Sequence, residues 1–167
     1  MSRTVAVRGV LAIVLVVVAV IAWRSRTTSD ERAIDARLEA LRSEVNASTK
    51  DGLGTAARAE EIGSYFADDA VVDLGGGAPP IKGRETVMGM VARLQPRTAA
   101  FRMDLDDVSV EMVPGRDAAD VLLTASFVRR SISTGEESLD AREYALVMAK
   151  SGGTWRIARI TAIDTLR

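Results

Sequence analysis

The sequence predicts an α+β domain whose helices precede a largely antiparallel sheet. Beyond residue 26, apolar residues first recur at helical spacing. Long stretches of alternating apolar and polar residues fill the last third, and turns rich in Gly and Pro separate them. Helices followed by strands are typical of α+β folds, because helices and strands alternate along the chain in doubly wound α/β folds.

The first predicted helix begins near Asp30 and carries an apolar stripe. Its members are spaced four, three and four residues apart: Ile34, Leu38, Leu41 and Val45. The stripe would pack on its own domain or, as a short coiled coil, against a neighbouring copy. Two heptads are short for a coiled coil, so we expect packing on the same domain.

Two further helices and a short strand are predicted before the main sheet. A helix over 55–66 would bury Ala59, Ile62, Tyr65 and Phe66, and a short strand follows it up to Leu74. The loop 75–80 contains three glycines and two prolines. A third helix follows residue 85, with a buried stripe that includes Met90 and Leu94, and Pro96 ends it.

Four long strands are predicted over 101–113, 118–130, 139–150 and 154–164. In the first of them the apolar residues change phase at Asp106 and Asp107. One extra residue turns the following side chains to the other face, so this change predicts a β-bulge. Gly152 and Gly153 predict a tight hairpin turn between the last two strands.

The amino-terminal residues 1–26 are predicted to form a single membrane anchor. The segment 5–23 contains one charge, Arg8, and as a helix would be about 28 Å long, close to the roughly 30 Å hydrocarbon core. Trp23 stands where an interfacial aromatic residue belongs. The alternative is a cleaved signal peptide and a secreted chain. We expect a single-pass membrane protein whose carboxyl-terminal domain lies outside the cytoplasm, with a linker and the first helix over 27–50 and the rest of the domain over 51–167.

The composition excludes several kinds of site and partner. The 167 residues include no cysteine and no histidine, which excludes disulfides, thiolate nucleophiles and most zinc sites. We therefore predict no cofactor and no metal. The part beyond residue 26 contains 18 basic and 23 acidic residues, so its net charge is −5. Nucleic-acid binding is not expected, because such a domain has no general attraction for phosphate backbones.

Three sequence features, in this order, resemble the nuclear transport factor 2-like superfamily, including its SnoaL-like members. They are the run Tyr65-Phe66-Ala67-Asp68-Asp69-Ala70-Val71-Val72, then Ile81-Lys82-Gly83-Arg84-Glu85 before a helix, and the closing Gly152-Gly153-Thr154-Trp155-Arg156-Ile157. The resemblance implies a cone of helices on a curved sheet, with a pocket that we expect to be lined by Tyr65, Phe66, Met90, Leu94, Phe127 and Trp155. Folds of this kind commonly dimerise through the open face of the sheet, so the resemblance also implies a homodimer.

The best catalytic candidates are Asp140, Arg142 and Tyr144, which share one strand face through their spacing of two residues. The resemblance implies that epoxide-hydrolase-like members use carboxylates bridged by an arginine. The alternative interpretation is a cross-strand ion pair on the solvent face. Two further candidates are weaker: Asp73 as a general base or as a turn cap, and the acidic cluster Asp104, Asp106 and Asp107 as a cation site or as exposed edge charges.

Two functions remain at this point. The first is a membrane-anchored, non-catalytic module that binds an apolar ligand or a partner protein. The second is a small-molecule isomerase or hydrolase that uses Asp140, Arg142 and Tyr144. The face of the strand 139–150 that lines the pocket should distinguish them. We expect the binding module.

Overall fold

The computed structural model describes residues 28–47, 52–94, 98–131 and 136–163. In these ranges the chain forms three helices and one six-stranded sheet. The helices are α1 (28–46), α2 (Gly52–Gly63) and α3 (Arg84–Leu94). The strands are β1 (Phe66–Asp73), β2 (Ile81–Lys82), β3 (Thr98–Met112), β4 (Ala118–Ser131), β5 (Glu137–Ser151) and β6 (Thr154–Ala162).

The order of strands across the sheet is β2-β1-β6-β5-β4-β3. Neighbouring strands are antiparallel except β1 and β6, which are parallel. The sheet is therefore mixed, and the last four strands form the antiparallel meander that the alternating residues predict. The α+β class is confirmed.

The predicted anchor lies outside the described residues. Within the described ranges, no helix is both long enough and apolar enough to span a bilayer. The segment 5–23 and the linker up to residue 27 are not among them. The anchor therefore stays a prediction from the sequence.

Helix α1 packs its apolar stripe on the sheet of its own domain. Ile34 is fully buried, Leu38 and Leu41 are buried beside it, and Val45 packs against the same core. Burying a side chain such as Ile34 stabilises the fold by about 1.5–3 kcal/mol. The expectation of packing on the same domain is confirmed, since the stripe is occupied by the domain core.

Polar contacts fasten both ends of α1 to the sheet. Near its start, Asp30 Oδ1 accepts a hydrogen bond of 2.6 Å from Lys150 Nζ and a longer one, of 3.4 Å, from the indole of Trp155. At its end, the Asn46 amide bonds both backbone groups of Met103, each at 2.7 Å. The direction of α1 across the sheet is therefore set at two points.

The second helix differs from its prediction at both ends. It begins at Gly52 instead of residue 55 and ends at Gly63, so that Phe66 starts β1 instead of ending the helix. The cause is a long-range pairing: the carbonyl of Tyr65 accepts a hydrogen bond of 2.8 Å from the amide of Ile157, and Phe66 pairs with Ile157. The two-residue strand β2, which pairs with the end of β1, was not predicted.

The predicted bulge and hairpin turn are both present. The register between β3 and β4 shifts between Asp106 and Ser109, and Asp107 has a positive φ of 53°. Gly152 and Gly153 connect β5 and β6 with φ values of 58° and 80°, a left-handed geometry that glycine adopts without steric cost.

Candidate functional site

One face of the sheet, here called the inner face, carries the core under the helices. On β5 its residues are the buried Tyr144, Leu146 and Met148. The pairing of β4 with β5 has no register shift from Ala118 to Arg130. Side chains therefore alternate regularly along β5, and Asp140 and Arg142 project from the same face as Tyr144.

The structure brings the three candidate residues together where the inner face emerges from the core. Asp140 and Arg142 have side-chain exposures of 51% and 44%, and 3.8 Å separates Arg142 Nε from Asp140 Oδ1. Tyr144 is only 9% exposed. The two charged residues form their ion pair within one strand, and both side chains are in contact with solvent.

Arg142 also contacts the end of β1. Its Nη1 donates a hydrogen bond of 3.1 Å to the carbonyl of Leu74. On the neighbouring strand β6, Ala162 pairs with Tyr144, and the amide of Ile163 donates a hydrogen bond of 2.9 Å to the carbonyl of Glu143. The guanidinium of Arg142 therefore connects β5 with the chain that follows β1.

The strand on the other side of this cluster is apolar. On β4, Leu123, Ala125 and Phe127 pair with Tyr144, Arg142 and Asp140 respectively. Ala125 and Leu123 are buried, and Phe127 packs against the core from a partly buried position. We use the name rim site for Ala125, Phe127, Asp140, Arg142 and Tyr144.

The phenol of Tyr144 is the titratable group of the rim site with a clear shift. Burial raises the pKa of Tyr144 above its usual value; the positive charge of Arg142 lowers this pKa, and the negative charge of Asp140 raises it. The phenol is therefore protonated at neutral pH and can donate a hydrogen bond. Among the described residues, its hydroxyl has no hydrogen-bond partner.

The residues expected to line the pocket divide into two groups. Tyr65, Phe66 and Trp155 are buried members of the core. Phe127 belongs to the rim site, and Met90 is half buried on α3. The side chain of Leu94 is outside the described part of the structure. Of the members whose side chains are described, Phe127 is the one that pairs with a residue of the set Asp140, Arg142 and Tyr144.

Residues 55–161 match the model of the SnoaL-like domain family. The chain belongs to this family. The resemblance inferred from the three sequence features is thereby confirmed, and the match covers α2, α3 and most of the sheet. No curated protein matches the chain.

Solved structures share the fold of this SnoaL-like domain. A provisionally named scytalone dehydratase from Novosphingobium aromaticivorans has a TM-score of 0.70 at 14% identity, with 84% of this chain and 87% of that chain covered. An NTF2-like protein with a cystatin-like fold from the same organism has a TM-score of 0.65 at 18% identity, covering 87% and 90%. A provisionally named NTF2-like dehydratase from Streptomyces avermitilis has 0.65 at 16%, covering 84% and 99%. Identities this low establish the fold alone.

The two weaker candidates of the SnoaL-like domain have structural partners. Asp73 Oδ1 accepts a hydrogen bond of 3.0 Å from the amide of Gly75, so Asp73 caps the turn after β1. Asp104 pairs with Arg102 at 2.8 Å and with Arg42 of α1 at 3.3 Å. In the described ranges, no group of three or more acidic side chains is arranged to hold a metal ion.

Sequence reasoning missed the contact between Arg142 and Leu74. The two residues are 68 positions apart, and the acceptor is a backbone carbonyl, which leaves no mark in the sequence. The apolar neighbours Ala125 and Leu123 were also missed. The alternation of β4 and β5 could have identified them, but only if the register of the two strands had been known.

Proposed function

We propose that this SnoaL-like domain is a non-catalytic binding module, held at a membrane by residues 5–23, that takes an apolar small molecule at the rim site. The observation that carries the proposal is the exposure of Asp140 and Arg142. General acid–base groups usually acquire shifted pKa values through burial and closely packed charges. Here the two charged side chains are about half exposed, and among the described residues Asp140 is the carboxylate with which Arg142 forms an ion pair.

The apolar wall of the rim site supports a ligand of low polarity. Phe127 and Ala125 lie on β4 beside the charged pair, and Leu105 of β3 pairs with Ala125 on the next strand. Binding sites for small molecules typically combine such apolar walls with a few polar groups that orient the ligand. In the rim site the hydroxyl of Tyr144 serves as an orienting group.

The binding proposal is tested by photolabelling of the full chain in lipid nanodiscs. A dodecanol that carries a diazirine in its alkyl chain is the probe, and mass spectrometry maps the labelled positions. We expect label on the peptides that contain Phe127 and Tyr144, and a decrease to background in Phe127→Ser. Leu122→Ser is the matched control, because Leu122 lies on the same strand, on the outer face, and is 53% exposed. Label spread evenly over both faces would contradict the proposal.

The membrane part of the proposal has a separate test. After alkaline carbonate extraction, the full chain should stay in the membrane fraction, and removal of residues 1–26 should release the domain. Recovery of the full chain in the soluble fraction would show that the segment does not anchor it.

The second candidate function is a small-molecule hydrolase or isomerase. It is favoured by the shared face of Asp140, Arg142 and Tyr144 and by the 3.8 Å distance within the charged pair. Two of the similar structures are also named as dehydratases, at identities that establish only the fold. Arg159 of β6 is exposed and pairs with Val147, which faces away from the inner face, so Arg159→Gln is the control variant. Turnover of an epoxide or a ketosteroid that is lost in Asp140→Asn and Arg142→Gln, and retained in Arg159→Gln, would replace the binding proposal.

A further inference from the structure

The rim site contains more hydrogen-bond donors than it uses. A guanidinium has five N–H groups, and the described contacts of Arg142 use one of them, in the bond to the Leu74 carbonyl. The closest approach to Asp140 is 3.8 Å, which is an ion pair but too long for a hydrogen bond. The hydroxyl of Tyr144, two residues along the same face, is a further donor with no partner among the described residues.

A hydrogen bond to the chain after β1 restrains Arg142, and the residues that pair with Arg142 and Tyr144 on β4 are apolar. The hydrogen bond to the Leu74 carbonyl restrains the guanidinium of Arg142, and the pairing of β5 with β4 restrains its backbone. Its neighbour on β4 is the buried Ala125, and 44% of the Arg142 side chain is exposed to solvent. A planar fork of donors matches the two oxygens of a carboxylate, and such bonds are stronger than those between neutral groups.

We infer that the rim site binds an apolar molecule with a single carboxylate, held by Arg142 and the hydroxyl of Tyr144, with its apolar chain along the partly buried Phe127. This inference rests on the proposed binding function and adds the chemical class of the ligand. Asp140 repels such a ligand, since it places a negative charge beside the same guanidinium. Neutralising Asp140 should therefore strengthen the binding of a carboxylate. The binding of an amine should weaken instead.

The experiment measures competition against the photoreactive dodecanol in nanodiscs at pH 8, where dodecanoate is ionised. Dodecanoate, dodecanol and dodecylamine are the competitors, because they share one chain length and differ in the head group. For each variant, the potency of one competitor against the probe is divided by the potency of another. This ratio is then compared with the same ratio in the wild type. Partitioning into the lipid is the same for every variant, so it cancels from this comparison.

We expect the preference for dodecanoate over dodecanol to be about five- to tenfold higher in the wild type than in Arg142→Gln, a range set by a charge-assisted fork at a half-exposed site. Arg142→Gln should remove this preference, and Arg142→Lys should keep about half of it on a logarithmic scale, because the charge remains and the fork is lost. Asp140→Asn should increase the preference for dodecanoate about threefold. Arg159→Gln on the outer face should leave the ratio unchanged.

The failures of the two proposals are distinguishable. If none of the three competitors displaces the probe, both the binding function and the ligand class are overturned. If the ratio of dodecanoate to dodecanol is the same in Arg142→Gln as in the wild type, or if Asp140→Asn weakens dodecanoate, the binding function stands and the carboxylate inference is overturned. Loss of the preference in Arg142→Gln with its increase in Asp140→Asn supports the inference, and a folding defect cannot produce this pair of opposite effects.

Discussion

The substitution Tyr144→Phe tests whether the rim hydroxyl has a structural role. Tyr144 is 9% exposed, and its hydroxyl has no hydrogen-bond partner among the described residues. A fully buried hydroxyl without a partner costs about 1–3 kcal/mol of desolvation, but the Tyr144 hydroxyl is not among the fully buried, unpartnered polar atoms of the described residues. Because the half-exposed Arg142 is next to it, part of the hydration is retained, and we expect Tyr144→Phe to stabilise the domain by about 0–1 kcal/mol. Tyr144→Ala also removes the buried ring and should cost about 3–5 kcal/mol.

Urea unfolding of the full chain measures both changes. Trp155 is buried and reports on the domain, and a Trp23→Phe background removes the other indole. With an m value of about 2 kcal/mol per molar urea, Tyr144→Phe raises the midpoint by at most about 0.5 M and Tyr144→Ala lowers it by about 1.5–2.5 M. If Tyr144→Phe instead lowers the midpoint by more than about 0.5 M, the hydroxyl has a structural partner. It is then not available to a ligand, and the reasoning on the rim site is wrong.

Three other predictions concern the core, the helix packing and the pH dependence. Ile34→Ala should cost about 2–5 kcal/mol and Ile34→Val about 0.5–1.5 kcal/mol in urea unfolding; a cost below 1 kcal/mol for alanine would place Ile34 outside the core. Gly63→Ala should destabilise the domain, because the added Cβ would lie 2.5 Å from Met88 Cγ. At Gly89 an added Cβ has nothing within 4 Å, so Gly89→Ala should raise the free energy of unfolding by about 0.5–1 kcal/mol. Equal effects of the two substitutions would contradict the tight contact between α2 and α3. The pKa of Tyr144 is raised in the folded state. The protonated phenol therefore contributes fully to the free energy of unfolding below the unfolded-state pKa of about 10, and this contribution is lost as the pH rises through the folded-state pKa. Tyr144→Phe should therefore remove part of the alkaline loss of stability, and an unchanged profile would exclude the raised pKa.

The sequence predicted best those features that depend on neighbouring residues. The stripe of Ile34, Leu38 and Leu41 identified both the helix and its buried face, because a period of 3.6 residues appears within one segment. The phase change at Asp106 identified the bulge for the same reason, as a local break in a period of two. These predictions needed no knowledge of the rest of the fold.

Features that depend on distant parts of the chain were not predictable. The pattern of Ile62, Tyr65 and Phe66 continues a helix, yet the chain leaves the helix at Gly63 because Tyr65 and Phe66 bond to Ile157 of β6. A pairing across the sheet overrides the local preference there.

The candidate site also combines a feature that neighbouring residues determine with features that depend on distant parts of the chain. The spacing of Asp140, Arg142 and Tyr144 correctly placed them on one face. Which of them is buried depends on the packing of distant parts of the chain, and the contact of Arg142 with the Leu74 carbonyl joins residues 68 positions apart. Neither can be inferred from the residues around position 142.

The bonds between Asn46 and Met103 also bear on solubility. β3 is the last strand of the sheet, and the outward N–H and C=O groups of such a strand can pair with a strand from another molecule. The Asn46 amide occupies both groups of Met103, and the bulge at Asp107 interrupts the strand a few residues later. An incoming strand therefore meets a blocked position and a bend within half a strand length. The side chain that fastens α1 thus also protects the molecule from edge-to-edge aggregation, and loss of the amide should promote self-association as well as weaken the fold.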